Sequence, residues 1–309
     1  MVSSGQARTF HIDGGKQDMS RPAERPPKSN WKIEILKKGV GVLQHISPAM
    51  ASEIIWQHFT RPGRSRFTPA QRSLIERADI GVLTYKGDEI VSYKWGSGDK
   101  KILLSHGWNS KAADFRRMIE RLLQEGFTVE GLDMRGHGQS GGLRTGVPEM
   151  RDILKNYYVK NGPYQTVIGY SIGGLIAGIM SSELSQSIQP KQLIIMAAPS
   201  YTRYFFKDTI SELGYSPRVY QEMCEMIYKT YNESVDYFDM RKKLHLLNNV
   251  DMHLIYDDND STVPFIRGQE LMQTYQKANF VHTSGLGHYN IIKYPDVIDY
   301  VANAVKNTP

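Results

Sequence analysis

The chain has 309 residues, 40% of them hydrophobic and 10% aromatic, which supplies a sizeable core and excludes a wholly disordered chain. A single cysteine excludes an intrachain disulfide and a cysteine-cluster zinc site, and no run of about 18 apolar residues offers a transmembrane helix. Lys and Arg number 38 against 32 Asp and Glu; this net +6 favours anionic surfaces weakly, without the concentrated basic patch of a nucleic-acid partner.

Residues 1–30 are polar, hold Pro22, Pro26 and Pro27, and show no apolar periodicity, so a disordered tail is expected. They lack the apolar stretch of a secretory signal, and a cytoplasmic location is expected. Residues 31–74 read as a helical and loop extension. Within it PAMASEIIWQHF predicts a short helix with Ile54, Ile55 and Phe59 on one side, followed by the turn-rich RPGRSRFTP. Asp79–Tyr85 and 89–95 are strand-like and flank Lys86-Gly87-Asp88, the pattern of a hairpin.

After Gly96-Ser97-Gly98 the rhythm changes. Apolar strands at 101–105, 127–133, 166–170, 192–198, 252–256 and 278–283 alternate with helical patterns at 111–124, 148–161, 172–184, 264–275 and 289–306. This alternation predicts an α/β fold, a mostly parallel sheet with flanking helices, over 75–309. Residues 200–248 break the rhythm. They are rich in Tyr, Phe and Met, with helical patterns at 217–230 and 233–246, and predict an inserted helical cap over the carboxyl ends of the strands.

Gly169-Tyr170-Ser171-Ile172-Gly173 has the form G-x-S-x-G and lies between an apolar strand and a helix rich in small residues. Such a turn exposes a serine hydroxyl at the carboxyl edge of a sheet, and its glycines permit close approach of strand and helix. A serine nucleophile needs a base, and the base needs an orienting acid. Among nine histidines, His288 in Gly285-Leu286-Gly287-His288 follows the last predicted strand and is the candidate base. Asp260 in DDNDSTVP is the candidate acid; Asp257 and Asp258 compete on spacing and read as turn residues. The order Ser171, Asp260, His288 is that of a serine hydrolase on this architecture. Candidate oxyanion donors are the backbone N–H groups of Ile172 and Trp108. His106 reads as a stabiliser of its own loop, and Asp133, Arg135 and His137 as loop braces. There is no P-loop pattern and no metal-ligand set, so no cofactor and no metal are expected.

HGW at 106–108, DMRGHGQSGG at 133–142, GYSIGG at 169–174, DDNDSTVP at 257–264 and GLGH at 285–288 occur in this order. With them the chain resembles the α/β-hydrolase family over about 75–306, particularly its lysophospholipase-like and monoacylglycerol-lipase-like serine hydrolases. The resemblance implies a Ser171-Asp260-His288 triad, an oxyanion hole at Trp108 and Ile172, and a cap at 200–248. A serine at 171 departs from the epoxide hydrolase and haloalkane dehalogenase branches, whose nucleophile is aspartate. Carboxylic-ester hydrolysis is expected, with acyl transfer or thioester hydrolysis as the alternative use of the same residues and a non-catalytic binding protein as the other. The substrate expected is a small-molecule or lipid-like ester, and peripheral membrane contact is compatible with the charge. Trp108, Tyr170, Tyr204, Phe205 and Met223 are candidate pocket residues; Tyr204, Phe205, Met223 and Met226 serve equally to pack the cap.

Overall fold

In the computed structural model, residues 8–14 and 31–308 are described. The chain runs through β1 (Thr9–Asp13), α1 (Trp31–Ile46), α2 (Pro48–Phe59), α3 (Pro69–Glu76), β2 (Asp79–Tyr85), β3 (Asp88–Trp95) and β4 (Lys101–Ser105). It continues with α4 (Arg116–Gln124), β5 (Thr128–Leu132), α5 (Val147–Asn161), β6 (Thr166–Tyr170), α6 (Ile172–Ser182) and β7 (Gln192–Met196). The last third holds α7 (Thr202–Glu212), α8 (Pro217–Tyr231), β8 (Asp251–Asp257), α9 (Ile266–Thr274), β9 (Asn279–Ser284), α10 (Gly287–Asn290) and α11 (Pro295–Lys306).

The strands form one sheet in the order β1-β9-β8-β7-β6-β4-β5-β3-β2. Every pairing from β1 to β5 across this order is parallel; β3 is antiparallel to both β5 and β2. The sequence dictates that division. β5, β6 and β7 are buried along their whole length, as strands covered on both faces must be, whereas β2 has no buried residue. Lys86 and Gly87 join β2 to β3 with φ of 49° and 84°, the two left-handed residues that a tight hairpin with the twist of its strands requires.

The chain divides into two compact units. The larger contains the sheet and runs through 62–200 and 239–308, with β1 added from the N-terminal side. Its core includes Ile102, Leu104, Val129, Ile168, Ile194 and Ile255, all at most 1% exposed. The smaller unit joins 31–61 to 201–238 around Val40, Ala51, Ile55, Val219, Met223 and Ile227. Ser47 and Pro48 start α2, the Ser47 hydroxyl accepting from Met50 N at 3.3 Å. No helix among the described residues is long and apolar enough to cross a membrane.

Three expectations from the sequence need correction. Residues 9–13, expected within a disordered tail, form β1, paired in register with Phe280–Ser284 of the last strand. Residues 1–7 and 15–30 of that tail lie outside the described ones. The 31–74 extension is divided: 31–61 packs with the inserted segment, while 62–74 belongs to the sheet-bearing unit. The helix expected over 233–246 is replaced by three short 3₁₀ turns, Val235–Tyr237, Met240–Lys242 and Leu244–Leu247. A continuous helix fails there because its backbone groups are used elsewhere: Phe238 O accepts from Thr202 N and Met240 N donates to Ser200 O, closing the two ends of the insertion on each other.

Candidate active site

β4, β6, β8 and β9 run parallel, so the loops after them leave the sheet at the same edge. Those loops carry Trp108, Ser171, Asp260 and His288 respectively. Ser171 caps α6 with φ 55° and ψ −131°, a left-handed conformation that costs a non-glycine residue roughly 1–3 kcal/mol and persists only where surrounding structure holds it. The hold is visible. A Cβ on Gly169 would strike Gly174, and one on Gly173 would strike the carbonyl oxygens of Ser105 and His106, so only glycine lets β6, α6 and the end of β4 approach this closely.

His288 Nε2 lies 3.0 Å from Ser171 Oγ, and its Nδ1 lies 2.7 Å from Asp260 Oδ2. Asp260 and His288 are buried and Ser171 is half-buried. Asp260 Oδ1 accepts from Thr262 N at 2.8 Å and Val263 N at 2.7 Å, which fixes the carboxylate and leaves Oδ2 for the imidazole. A carboxylate can only accept, so Nδ1 donates to it and Nε2 faces the serine with its lone pair. An imidazole so placed can take the hydroxyl proton as oxygen attacks an electrophile.

Gly107 brings the next loop against the serine: a Cβ at Gly107 would lie 2.8 Å from Ser171 Cβ. The amides of Trp108 and Ile172 donate to nothing among the described residues, so both are available to an oxyanion. The loop is braced from beneath. His106 Nδ1 donates to Gly107 O at 2.8 Å and its Nε2 accepts from Met134 N at 2.9 Å. His137 Nδ1 donates to Arg135 O at 3.1 Å and its Nε2 accepts from Asn109 N at 3.2 Å. Both imidazoles are thus committed as neutral rings. Burial holds His137 down to about 3 and lowers His106 as well. Asp133 accepts from Ala112 N, Gln139 N and Tyr93 Oη at 2.8–2.9 Å, and Arg135 pairs with Asp88 at 2.6 Å. These residues brace the site, as their place in the sequence predicts.

The candidate pocket residues are divided between the two units, Trp108 and Tyr170 in the larger and Tyr204, Phe205 and Met223 in the smaller. Trp108 is half-buried, with its ring edge-on to His137 at 5.3 Å. Tyr170 is 4% exposed; its hydroxyl donates to His288 O at 3.0 Å, which makes it a brace of the His288 backbone. Met223 is fully buried in the core of the smaller unit, so packing is its use. Met226 is partly buried against that core. The side chains of Tyr204 and Phe205 lie outside the described residues. Sequence reasoning passed over Asn109, whose Oδ1 accepts from Gly63 N at 2.6 Å. The structure holds it at φ 58°, a conformation asparagine tolerates, and nothing in the sequence near it points to residue 63.

A family model described as serine aminopeptidase, S33, matches residues 96–282, more than half of the chain; the match includes Ser171 and Asp260 and ends before His288. A carboxylesterase of Bacillus subtilis is 27% identical over 117 residues, 36% of this chain and 46% of that protein. A pimeloyl-[acyl-carrier protein] methyl ester esterase of Pectobacterium atrosepticum is 27% identical over 144 residues, 46% of this chain and 52% of that protein. The chain thus spans about half the length of these curated relatives. The esterase Pf2001 of Pyrococcus furiosus has the same fold, with a TM-score of 0.60 at 20% identity over 80% of this chain and 99% of its own.

Proposed function

The chain belongs to the serine aminopeptidase S33 family of α/β hydrolases, and from that premise we propose that it is a serine carboxylic-ester hydrolase working through an acyl-enzyme intermediate. The observation that carries the reading is the unbroken hydrogen-bonded series Asp260–His288–Ser171 at the carboxyl edge of a parallel sheet. Ser171 Oγ attacks the ester carbonyl carbon while His288 Nε2 takes its proton. The oxygen becomes an anion facing the Trp108 and Ile172 amides, and each such donor contributes about 3 kcal/mol to the transition state. The intermediate then collapses, the C–O bond to the alcohol breaks, and His288 returns the proton to the leaving oxygen. Water, deprotonated by His288, attacks the acyl carbon, the bond to Ser171 Oγ breaks, and His288 returns the proton to Oγ as the acid leaves.

The curated relatives named above are esterases, and this favours an ester over the peptide bond in the family model's description. Turnover of p-nitrophenyl esters of graded chain length, with an aminoacyl p-nitroanilide beside them, tests the choice. Ester turnover is expected to exceed anilide turnover, and Ser171→Ala is expected to lower it by roughly 10⁴-fold or more. Undiminished turnover by Ser171→Ala would remove Ser171 from the chemistry.

A further inference from the structure

Asp257, the last residue of β8, is fully buried, and the hydrolytic steps give it no part. Its carboxylate nonetheless joins the two loops on which those steps depend. Oδ1 accepts from Asn259 N at 3.0 Å, at the start of the loop that ends in Asp260. The same oxygen accepts from Gly287 N at 2.9 Å. Oδ2 accepts from Leu286 N at 3.0 Å and from Thr283 Oγ1 at 2.7 Å. Three backbone amides and one hydroxyl therefore converge on a group that can only accept. Two of those amides belong to the residues immediately before His288.

Asp258 is the contrast. It is one residue further on and carries the same carboxylate, but it is more exposed. Its Oδ2 takes Ser284 Oγ at 2.7 Å and His282 Nε2 at 3.1 Å, both side chains of β9, and it meets the turn before the base at the Gly285 backbone, three residues short of His288. An amide at 257 would keep one accepting oxygen and set an N–H group against the N–H of Leu286, so the ion and not merely the shape is required.

We propose that Asp257 is a positioning residue of this site: as a buried carboxylate it locks the 285–288 turn to the 257–260 loop and so holds His288 Nδ1 on Asp260. The inference rests on the ester-hydrolase reading of Ser171, Asp260 and His288. A base displaced by a fraction of an ångström loses rate without losing substrate affinity, because binding precedes the proton transfer that depends on its place.

The experiment compares wild type, Asp257→Asn, Thr283→Val, Asp258→Asn and Ser171→Ala on a p-nitrophenyl ester, with thermal unfolding followed by circular dichroism. Asp257→Asn is expected to lower kcat at least about tenfold with KM within about twofold of wild type, at temperatures where the variant is folded. Thr283→Val, which removes one of the four donors from a side chain of nearly the same shape, is expected to lower kcat about threefold. Asp258→Asn is expected to retain wild-type kcat to within about twofold. If Asp257→Asn does not fold, Thr283→Val decides: unchanged kcat overturns the inference. A folded Asp257→Asn with wild-type kcat also overturns it, while loss of turnover in Ser171→Ala leaves the hydrolase reading standing. Wild-type turnover in Ser171→Ala would instead bring down that reading and the inference together.

Discussion

Tyr170 and His288 are 118 positions apart, yet the Tyr170 hydroxyl donates to the His288 carbonyl at 3.0 Å and the two rings lie 5.1 Å apart. Tyr170 closes β6 one residue before Ser171, so a single side chain ties the strand that presents the serine to the backbone that presents the imidazole. Replacing Tyr170 by Phe keeps the ring packing, which includes the edge-on contact with Phe115, and deletes only the donor. The loss leaves a buried carbonyl without that partner, worth ~1 kcal/mol. Tyr170→Phe is therefore expected to lower kcat about fivefold with KM little changed, measured on the same ester series. A larger change in KM than in kcat would return Tyr170 to the substrate pocket.

At the scale of elements, the segment between α2 and α3 does more than connect. Gly63 N donates to Asn109 Oδ1 at 2.6 Å, and Lys111 Nζ reaches Ser65 Oγ at 2.7 Å. The Arg64 guanidinium donates to the carbonyls of Gly136, Ser140 and Gly142 at 2.7–3.2 Å. The strap thus holds both the loop after β4 and the loop after β5 from outside. Asn109→Gly removes its bond to Gly63 and still tolerates φ 58°, so backbone strain does not confuse the result. Because Asn109 follows Trp108, kcat is expected to fall about fivefold, for ~1 kcal/mol of lost restraint, with Tm lowered by only a few degrees. An unaltered kcat would show that the loop after β4 holds its shape without the strap. The contrast with the triad explains what was legible in the sequence. Ser171, Asp260 and His288 each follow within four residues a strand whose apolar run is readable locally, and their chain order restricts the pairing. The strap, β1 and Asp257 depend on partners remote in sequence. Phe10 pairs with Val281 through backbone groups, which no side-chain pattern announces, and the TFHID run is too short and exposed to read as a strand. The inserted helix α7 likewise left only a cluster of aromatic residues in the sequence, without the period that marks α8.

Across the whole molecule, the parallel sheet gathers loops from four strands at one edge, and the fold under them is built on two histidines that must stay neutral. The His106 and His137 rings lie 5.1 Å apart, and each accepts a backbone N–H on Nε2, a bond that protonation would abolish. Desolvation lowers His137 to about 3 from an ordinary 6.5, with the neighbouring His106 and Arg64 acting in the same direction and the bond to Arg135 O against it. Desolvation lowers His106 too, against the opposing charge of Asp133. The direction of the linkage follows. Above about pH 6.5 His137 is neutral in folded and unfolded chains alike and adds no slope. Between 6.5 and about 3 the unfolded chain binds a proton that the folded chain refuses, so stability falls as pH falls, at ~1.4 kcal/mol per pH unit from this residue. Urea unfolding at pH 7.5, 6.0 and 5.0 measures the slope, and His137→Gln isolates it, because the carboxylates that also titrate are common to both proteins. The variant is expected to be less stable at pH 7.5 and to lose less stability on acidification, its slope shallower by about 1 kcal/mol per unit. Parallel slopes would mean that the folded chain accepts the proton at His137 after all, with the bond from Asn109 given up and the loop that carries Trp108 released.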